Sequence, residues 1–381
     1  MTEKKKAKNY NVFGTAPSDK AISVMIPVVS VLLALIVGAI IIACLGKNPF
    51  KGYSLLFSGA LGSSKRLAQT MMSACPLIFT SLAVSFAYKC GVFNLGGEGQ
   101  FAMGAVAAII AAQVLPLSGP LGILVLIIIG TIAGALWGLL PGIMKITRGL
   151  NELITTIMLN YVAVLFMGYI YTGPFREGEG GNPQTAAVAE SLMLTKVGRC
   201  HVGVFIAILV AVFIWYVIFK TSFGFKIRAV GMNPIASRVA GFPVKKLMVL
   251  SFVISGALAG MGGAVELLGK QYRLMAGFGA GMGFQGVAIA LIAQLNPIGS
   301  MLVAIFFGVL QTGATAMQVG IKVPTAIIEI IRALIIIFAI SGMGLLKLPK
   351  FKQMLSANKP EKTDKPENTS EVKKDKQEVE A

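Results

Sequence analysis

A chain of 381 residues that is 55% hydrophobic and only 13% charged, with a mean hydropathy of +0.78, is not a soluble domain; soluble domains carry roughly a quarter charged residues. The formal net charge of +18 is read as Lys and Arg at the ends of membrane segments, where they orient the spans, and not as a nucleic-acid surface. Cys44, Cys75, Cys90 and Cys200 have no paired spacing and His201 is the only histidine, so neither a disulfide framework, a metal site nor His-based catalysis is expected.

Apolar runs of about 20 residues, the length that spans a bilayer, follow one another along the chain. They predict an all-α, polytopic membrane helix bundle of about ten transmembrane helices. Residues 1–22 form a basic segment placed in the cytoplasm, 23–346 the transmembrane domain, and 347–381 a charged cytoplasmic tail with too few apolar residues to bury a core. The first span is predicted over Val24–Leu45, without the small-residue cleavage site of a signal peptide. A looser amphipathic stretch, "FKGYSLLFSGALGSSKRLAQ", leads into the second span, Leu67–Tyr88, where Pro76 predicts a kink. The third to fifth spans cover Gln100–Leu117, Leu121–Ile143 and Leu153–Tyr171, with Lys145 and Arg148 marking an inside end. A long polar loop is placed outside, ahead of the sixth span, Val202–Phe219. The basic stretch Lys220–Lys246 is placed inside. Four more spans are predicted over Val249–Leu268, Gly279–Leu295, Met301–Met317 and Ala326–Leu346, which puts both termini in the cytoplasm. Lys47, Lys51, Lys65 and Arg66 are then unusually basic for an outer surface.

One pattern recurs. "GGEGQFAMGAVAAIIAAQ" opens the third span and "GAGMGFQGVAIALIAQ" the eighth. Five spans apart, the two would face opposite ways, as in an inverted-topology repeat whose broken helices meet near a central pathway.

Two segments carry candidate chemistry. In "CGVFNLGGEGQFAMGAV", Glu98 lies beside the positive end of a helix dipole, where an acid gains roughly 0.3–1 kcal/mol. Gly91, Gly96, Gly97 and Gly99 permit close approach or a helix break. Glu98 can serve the helix end, and a broken helix can line a polar pathway in which Asn94, Glu98 and Gln100 offer hydrogen bonds to a solute; the two readings are compatible. Asn160 and Tyr161 are read as a buried polar pair facing the bundle, and Glu329 and Arg332 as an i,i+3 ion pair. In "AVGMNPIASRVAGFPVKK", Asn233 is a favoured N-cap, Pro234 a favoured first helical residue, and Gly241 a left-handed stop. This predicts a short, rigid helix between two spans, with Ala236 and Arg238 on it and Lys226, Arg228, Lys245 and Lys246 beside it.

"RAVGMNPIASRVAGFPVKKLMVLSFVISGALAG" resembles the cytoplasmic coupling loop of ABC-type permeases that import branched-chain amino acids, simple sugars or nucleosides. "CGVFNLGGEGQFAMGA" and "GLNELITTIMLNYVA" are similar to the nucleoside branch of that family, and "GFQGVAIALIAQLNPIG" fits near its C-terminal half. The resemblance covers roughly Leu67 to Leu346. It implies a subunit with no ATPase of its own. The partners implied are a second, related permease, ATP-binding subunits that hydrolyse the ATP, and an extracellular substrate-binding lipoprotein. It also places Gln285 among the candidate pathway residues and makes Asn233, Pro234, Ala236, Arg238 and Gly241 the ATPase-coupling helix. The residues agree with the missing motor: no G-x-x-x-x-G-K-[ST] phosphate loop occurs.

The expectation is a nucleoside-translocating permease subunit of an ATP-driven importer in the bacterial cell membrane, with lipid around it and no cofactor of its own. The alternatives are a simple-sugar permease of ribose type, or an ion-coupled secondary transporter using Glu98, Glu266 or Glu329.

Overall fold

In a computed structural model, the described residues, 17–178 and 181–345, form thirteen α-helices joined by turns, one two-stranded hairpin, and single 3-10 and π turns. The predicted tail and most of the predicted basic head lie outside the described residues. The chain is a multi-pass bundle: among the described residues, six helices are long and apolar enough to cross a membrane.

Helix α1 (Pro17–Cys44) exposes Val28, Leu32, Ile36 and Ile40, a one-turn repeat that gives it an apolar outer stripe. The stretch read as loose is a helix, α2 (Pro49–Leu61). Asn48 caps it through its side-chain oxygen, which accepts from the Phe50 and Lys51 amides at 2.9 and 3.2 Å, and Pro49 starts it. Its buried face is Gly52, Leu56, Gly59 and Ala60. That stripe is small rather than greasy, so hydropathy understates it. α3 (Ser64–Lys89) remains one helix through Pro76, and the Thr80 hydroxyl donates to the Pro76 carbonyl at 3.1 Å.

α4 (Gly97–Val114), α5 (Gly119–Arg148), α6 (Glu152–Thr172) and α7 (Gly203–Lys220) match four predicted spans. The basic stretch after α7 holds two helices where one was expected: α8 (Ser222–Met232), capped by Thr221, and the short α9 (Pro234–Val239). α10 (Val244–Glu266) continues into a π turn, Leu267–Gln271. The largest departure is α11 (Met282–Ile292), predicted as a span over Gly279–Leu295. Its 11 residues rise about 16 Å, half a bilayer core. α12 (Pro297–Ile321) is correspondingly longer than predicted, and α13 (Ala326–Leu345) closes the described chain.

A glycine seam joins α4, α5 and α10. A Cβ built on Gly134 would stand 2.3 Å from the Gly256 carbonyl oxygen, and one on Gly104 2.2 Å from that of Gly260. Lipid tails are as apolar as leucine, so helices in a membrane associate through close backbone contact rather than hydrophobic burial. Gly130, Gly134 and Gly138 recur every four residues and supply that contact along one side of α5.

The two ends of the bundle differ. At one, α8 and α9 gather a basic cluster, with Lys89 and Arg228 lying 5.8 and 5.5 Å from the Phe219 ring centre. At the other, the hairpin (β1 Lys196–Val197, β2 Cys200–His201) packs on α3. His201 is buried there with both ring nitrogens unpartnered. Burial, with Lys270 adding to it, pushes its pKa down to about 4, so the ring is neutral.

Candidate functional site: two helix starts held by one carboxylate

The N-termini of α4 and α11 meet inside the bundle. Gly97 and Gly283 pack backbone to backbone, and a Cβ on Gly283 would lie 2.1 Å from the Glu98 amide nitrogen. Glu98 does more than complement the dipole of its own helix. Its carboxylate reaches across and accepts the Gly281 amide on Oε1 at 2.5 Å and the Gly283 amide on Oε2 at 2.7 Å. It thus caps α11, whose orphan first-turn donors need an acceptor. Gly281 at φ +78° occupies the left-handed region that glycine permits. Glu98 itself is half-buried, between the buried Gly97 and Gly99.

The irregular backbone before α4 is held by side chains. Asn94 and Gln100, each 1% exposed, pair their amides reciprocally at 3.0 and 3.2 Å. Asn94 also donates to the Ser255 hydroxyl of α10 at 2.8 Å and accepts from the Gly96 amide at 2.9 Å. From α6, Asn160 donates to the Leu95 carbonyl at 2.9 Å and accepts from the Gly99 amide at 2.8 Å. One turn earlier Thr156 accepts from the Leu95 amide at 3.3 Å. Non-helical backbone at membrane depth needs such partners, since lipid offers none.

Across the junction Gln285 of α11 accepts from Arg332 Nη1 of α13 at 3.0 Å, and Arg332 Nη2 pairs with Glu329, as the i,i+3 spacing predicts. The structure therefore brings Asn94, Glu98, Gln100 and Asn160 together around the start of α4, with Gln285 one turn along α11 from Gly281. Tyr161 departs from its expected place. It is 63% exposed while Asn160 is 4% exposed, because neighbours on a helix point about 100° apart and cannot share a face.

At the basic end α9 has the predicted form. The Asn233 side-chain oxygen accepts from the Ile235 and Ala236 amides, both at 3.0 Å. Gly241, at φ +82°, ends the helix; its amide donates to the Arg238 carbonyl at 3.0 Å, and the next amide, of Phe242, to Ser237 at 2.9 Å. Ser237 faces inward, and Ala236 and Arg238 are exposed. Beside them stand Met232, Ile235 and Val239, at 71, 78 and 86% exposure.

Residues 66–340 match the family described as the permease component of the branched-chain amino acid transport system. The chain is 35% identical to the guanosine ABC transporter permease protein NupP of Bacillus subtilis, over 84% of this chain and 94% of that one. It is also 35% identical to the nucleoside ABC transporter permease protein NupB of Lactococcus lactis, over 91% and 98%. With the glucose ABC transporter permease protein TsgB13 of Haloferax volcanii it shares 33% identity over 83% and 87%. The chain belongs to this permease family.

Thr156 and Ser255, which help hold the permease's junction, escape a search for charged or motif residues, and Gly281 and Gly283 stand out only as part of the recurring glycine segment. Thr156 and Asn160 had a signal, two polar residues one turn apart in an otherwise apolar helix. The glycines had one in the spacing "GAGMGFQG". Ser255 gives no local sign of its partner 161 positions away.

Proposed function

We propose that this permease is the membrane subunit of an ATP-driven importer that carries nucleosides across the bacterial cell membrane. In this reading ten helices, α1, α3 to α7 and α10 to α13, form the membrane body, with α11 as a half-span and both termini in the cytoplasm. α4 and α11 are the broken helices of an inverted repeat, and their meeting point borders the solute pathway, with Asn94, Glu98, Gln100, Asn160 and Gln285 around it. The chain hydrolyses no ATP. An ATP-binding subunit docks on α9, a second related permease completes the pathway, and an extracellular binding lipoprotein delivers the solute.

The observation that carries the motor-driven reading is α9. Ile235 and Val239 stand largely exposed on this doubly capped helix, with Met232 beside them at the end of α8, and such an apolar patch at a polar end of the molecule marks a protein contact. The substrate class is supported by the similarity to the guanosine and nucleoside permeases along almost their whole length. The test is uptake of labelled guanosine, adenosine, cytidine, ribose and glucose in cells with and without the chain. Nucleoside uptake lost on deletion, with sugar uptake intact, is the expected result. The reverse favours the simple-sugar reading, which the similarity to the Haloferax glucose permease keeps open.

A further inference from the structure

One face of α13 carries a charge that hydrocarbon would not tolerate. Ala326, Glu329, Ala333, Ile337 and Ile340 recur at three- and four-residue steps on its exposed side. The Glu329 side chain is 61% exposed, and that of Arg332, with which it pairs, only 6%. An ionised carboxylate on a lipid-facing stripe is expensive, so this face looks onto water or protein.

The carboxylate is also built in. Arg332 Nη2 holds Glu329 Oε1, and Arg332 Nη1 is held in turn by Gln285 Oε1 at 3.0 Å. Gln285 stands one turn from Gly281, whose amide rests on Glu98. Glu329 is therefore wired to the α4–α11 junction through a buried guanidinium. The Nε of that guanidinium is buried without a partner. With Oε1 engaged by the arginine, Oε2 is left to accept from a further donor.

A carboxylate so held takes O–H and N–H donors and repels anions. The solutes considered above, nucleosides and simple sugars, share a hydroxylated ring, and an acidic side chain against ring hydroxyls is the pairing that dinucleotide-binding folds use for ribose. We propose that Glu329, positioned by Arg332 and Gln285, is a specificity residue that accepts hydrogen bonds from the vicinal hydroxyls of the solute's sugar ring as it passes the junction. The inference rests on the nucleoside-permease reading.

The test compares uptake of labelled guanosine and 2′-deoxyguanosine by the complete transporter carrying wild-type chain, Glu329→Gln or Glu329→Asp. The ratio of the two fluxes is the readout. Misfolding lowers both fluxes and leaves their ratio alone, and any preference of the binding protein enters every ratio equally. Wild type is expected to favour guanosine. In Glu329→Gln the remaining amide oxygen faces Arg332 and a donor replaces the second oxygen, so the preference should shrink roughly tenfold or more, the size of a lost hydrogen bond to a charged group, while Glu329→Asp, still an ionised carboxylate, retains part of it. An unchanged ratio in Glu329→Gln, whatever the absolute flux, overturns the inference and leaves the permease reading standing. No guanosine uptake by wild type overturns both.

Discussion

Glu98 shows how one side chain can hold two elements. A carboxylate offers both oxygens as acceptors, and here each takes a different amide of the α11 start. Glu98→Gln keeps the shape but replaces one acceptor with an amide donor facing an N–H. One capping bond is lost, at about 1.5–3 kcal/mol for a bond to a charged group. Guanosine uptake should fall while the amount of chain in the membrane, read by immunoblot, stays normal; full uptake by this variant would make the cap dispensable. The glycines beside it grade in tolerance. A Cβ at Gly97 would meet only ordinary contacts, the nearest at 3.6 Å, whereas one at Gly283 would sit 2.1 Å from backbone. Gly97→Ala should therefore assemble and transport, and Gly283→Ala should lose stability in detergent thermal unfolding. Equal behaviour of the two would mean that the helix starts are not in contact.

Among the helices, those with period and length both written in apolar residues were legible: α5, α6 and α7 lie close to the predicted spans because leucine, isoleucine and valine fill them. α9 was legible for another reason, since Asn233-Pro234 and Gly241 are local capping chemistry needing no knowledge of the rest of the chain. α2 and α11 were not. Both bury small residues against distant backbone, Gly59 on Ala316 and Gly286 on Thr80, and a partner more than 200 positions away leaves no mark on local hydropathy. The same holds for the site, where Asn94, Glu98 and Gln100 stand out by type but Ser255 and the glycines of α11 acquire their roles only through tertiary contact. α9 in turn makes a sharp prediction. Ala236 is exposed beside Ile235 and Val239, so Ala236→Trp leaves the fold intact and spoils only what docks there. The variant should reach the membrane, pull down little ATP-binding subunit and take up little nucleoside. Arg238→Glu should act in part, and most at low salt, where surface charge is least screened. If both variants bind the ATP-binding subunit and transport normally, α9 is a loop brace and the motor-driven reading loses its physical support.

How the bundle sits across the membrane is decided by charge that the described ends nearly balance. Lys89, Lys145, Arg148, Lys220, Lys226, Arg228, Arg238, Lys245 and Lys246 lie at the α8–α9 end, and Lys47, Lys51, Lys65, Arg66, Arg176, Lys196, Arg199, Lys270, Arg273 and Lys322 at the hairpin end. Ion pairing does not tip the balance: Arg273 and Lys270 are matched by Glu177 and Glu266 at the hairpin end, and Lys145 by Glu152 at the other. The bias toward one orientation then falls on residues flanking the first helix, where Lys4, Lys5, Lys6 and Lys8 precede α1, and a first helix with basic residues on one side usually sets orientation. The proposed topology, with the head and the α8–α9 end in the cytoplasm, is the orientation this bias favours. A single cysteine at Lys246 should therefore resist a membrane-impermeant maleimide until cells are opened, and one at Lys196 should label from outside, both in a background lacking the four native cysteines. Replacing Lys4, Lys5, Lys6 and Lys8 with glutamine should make a fraction of the Lys246→Cys chains labelable from outside. Labelling that stays all-or-none would move the orienting signal into the body of the bundle, and external labelling of Lys246→Cys in the unaltered head would turn the molecule over and remove α9 from reach of any cytoplasmic motor.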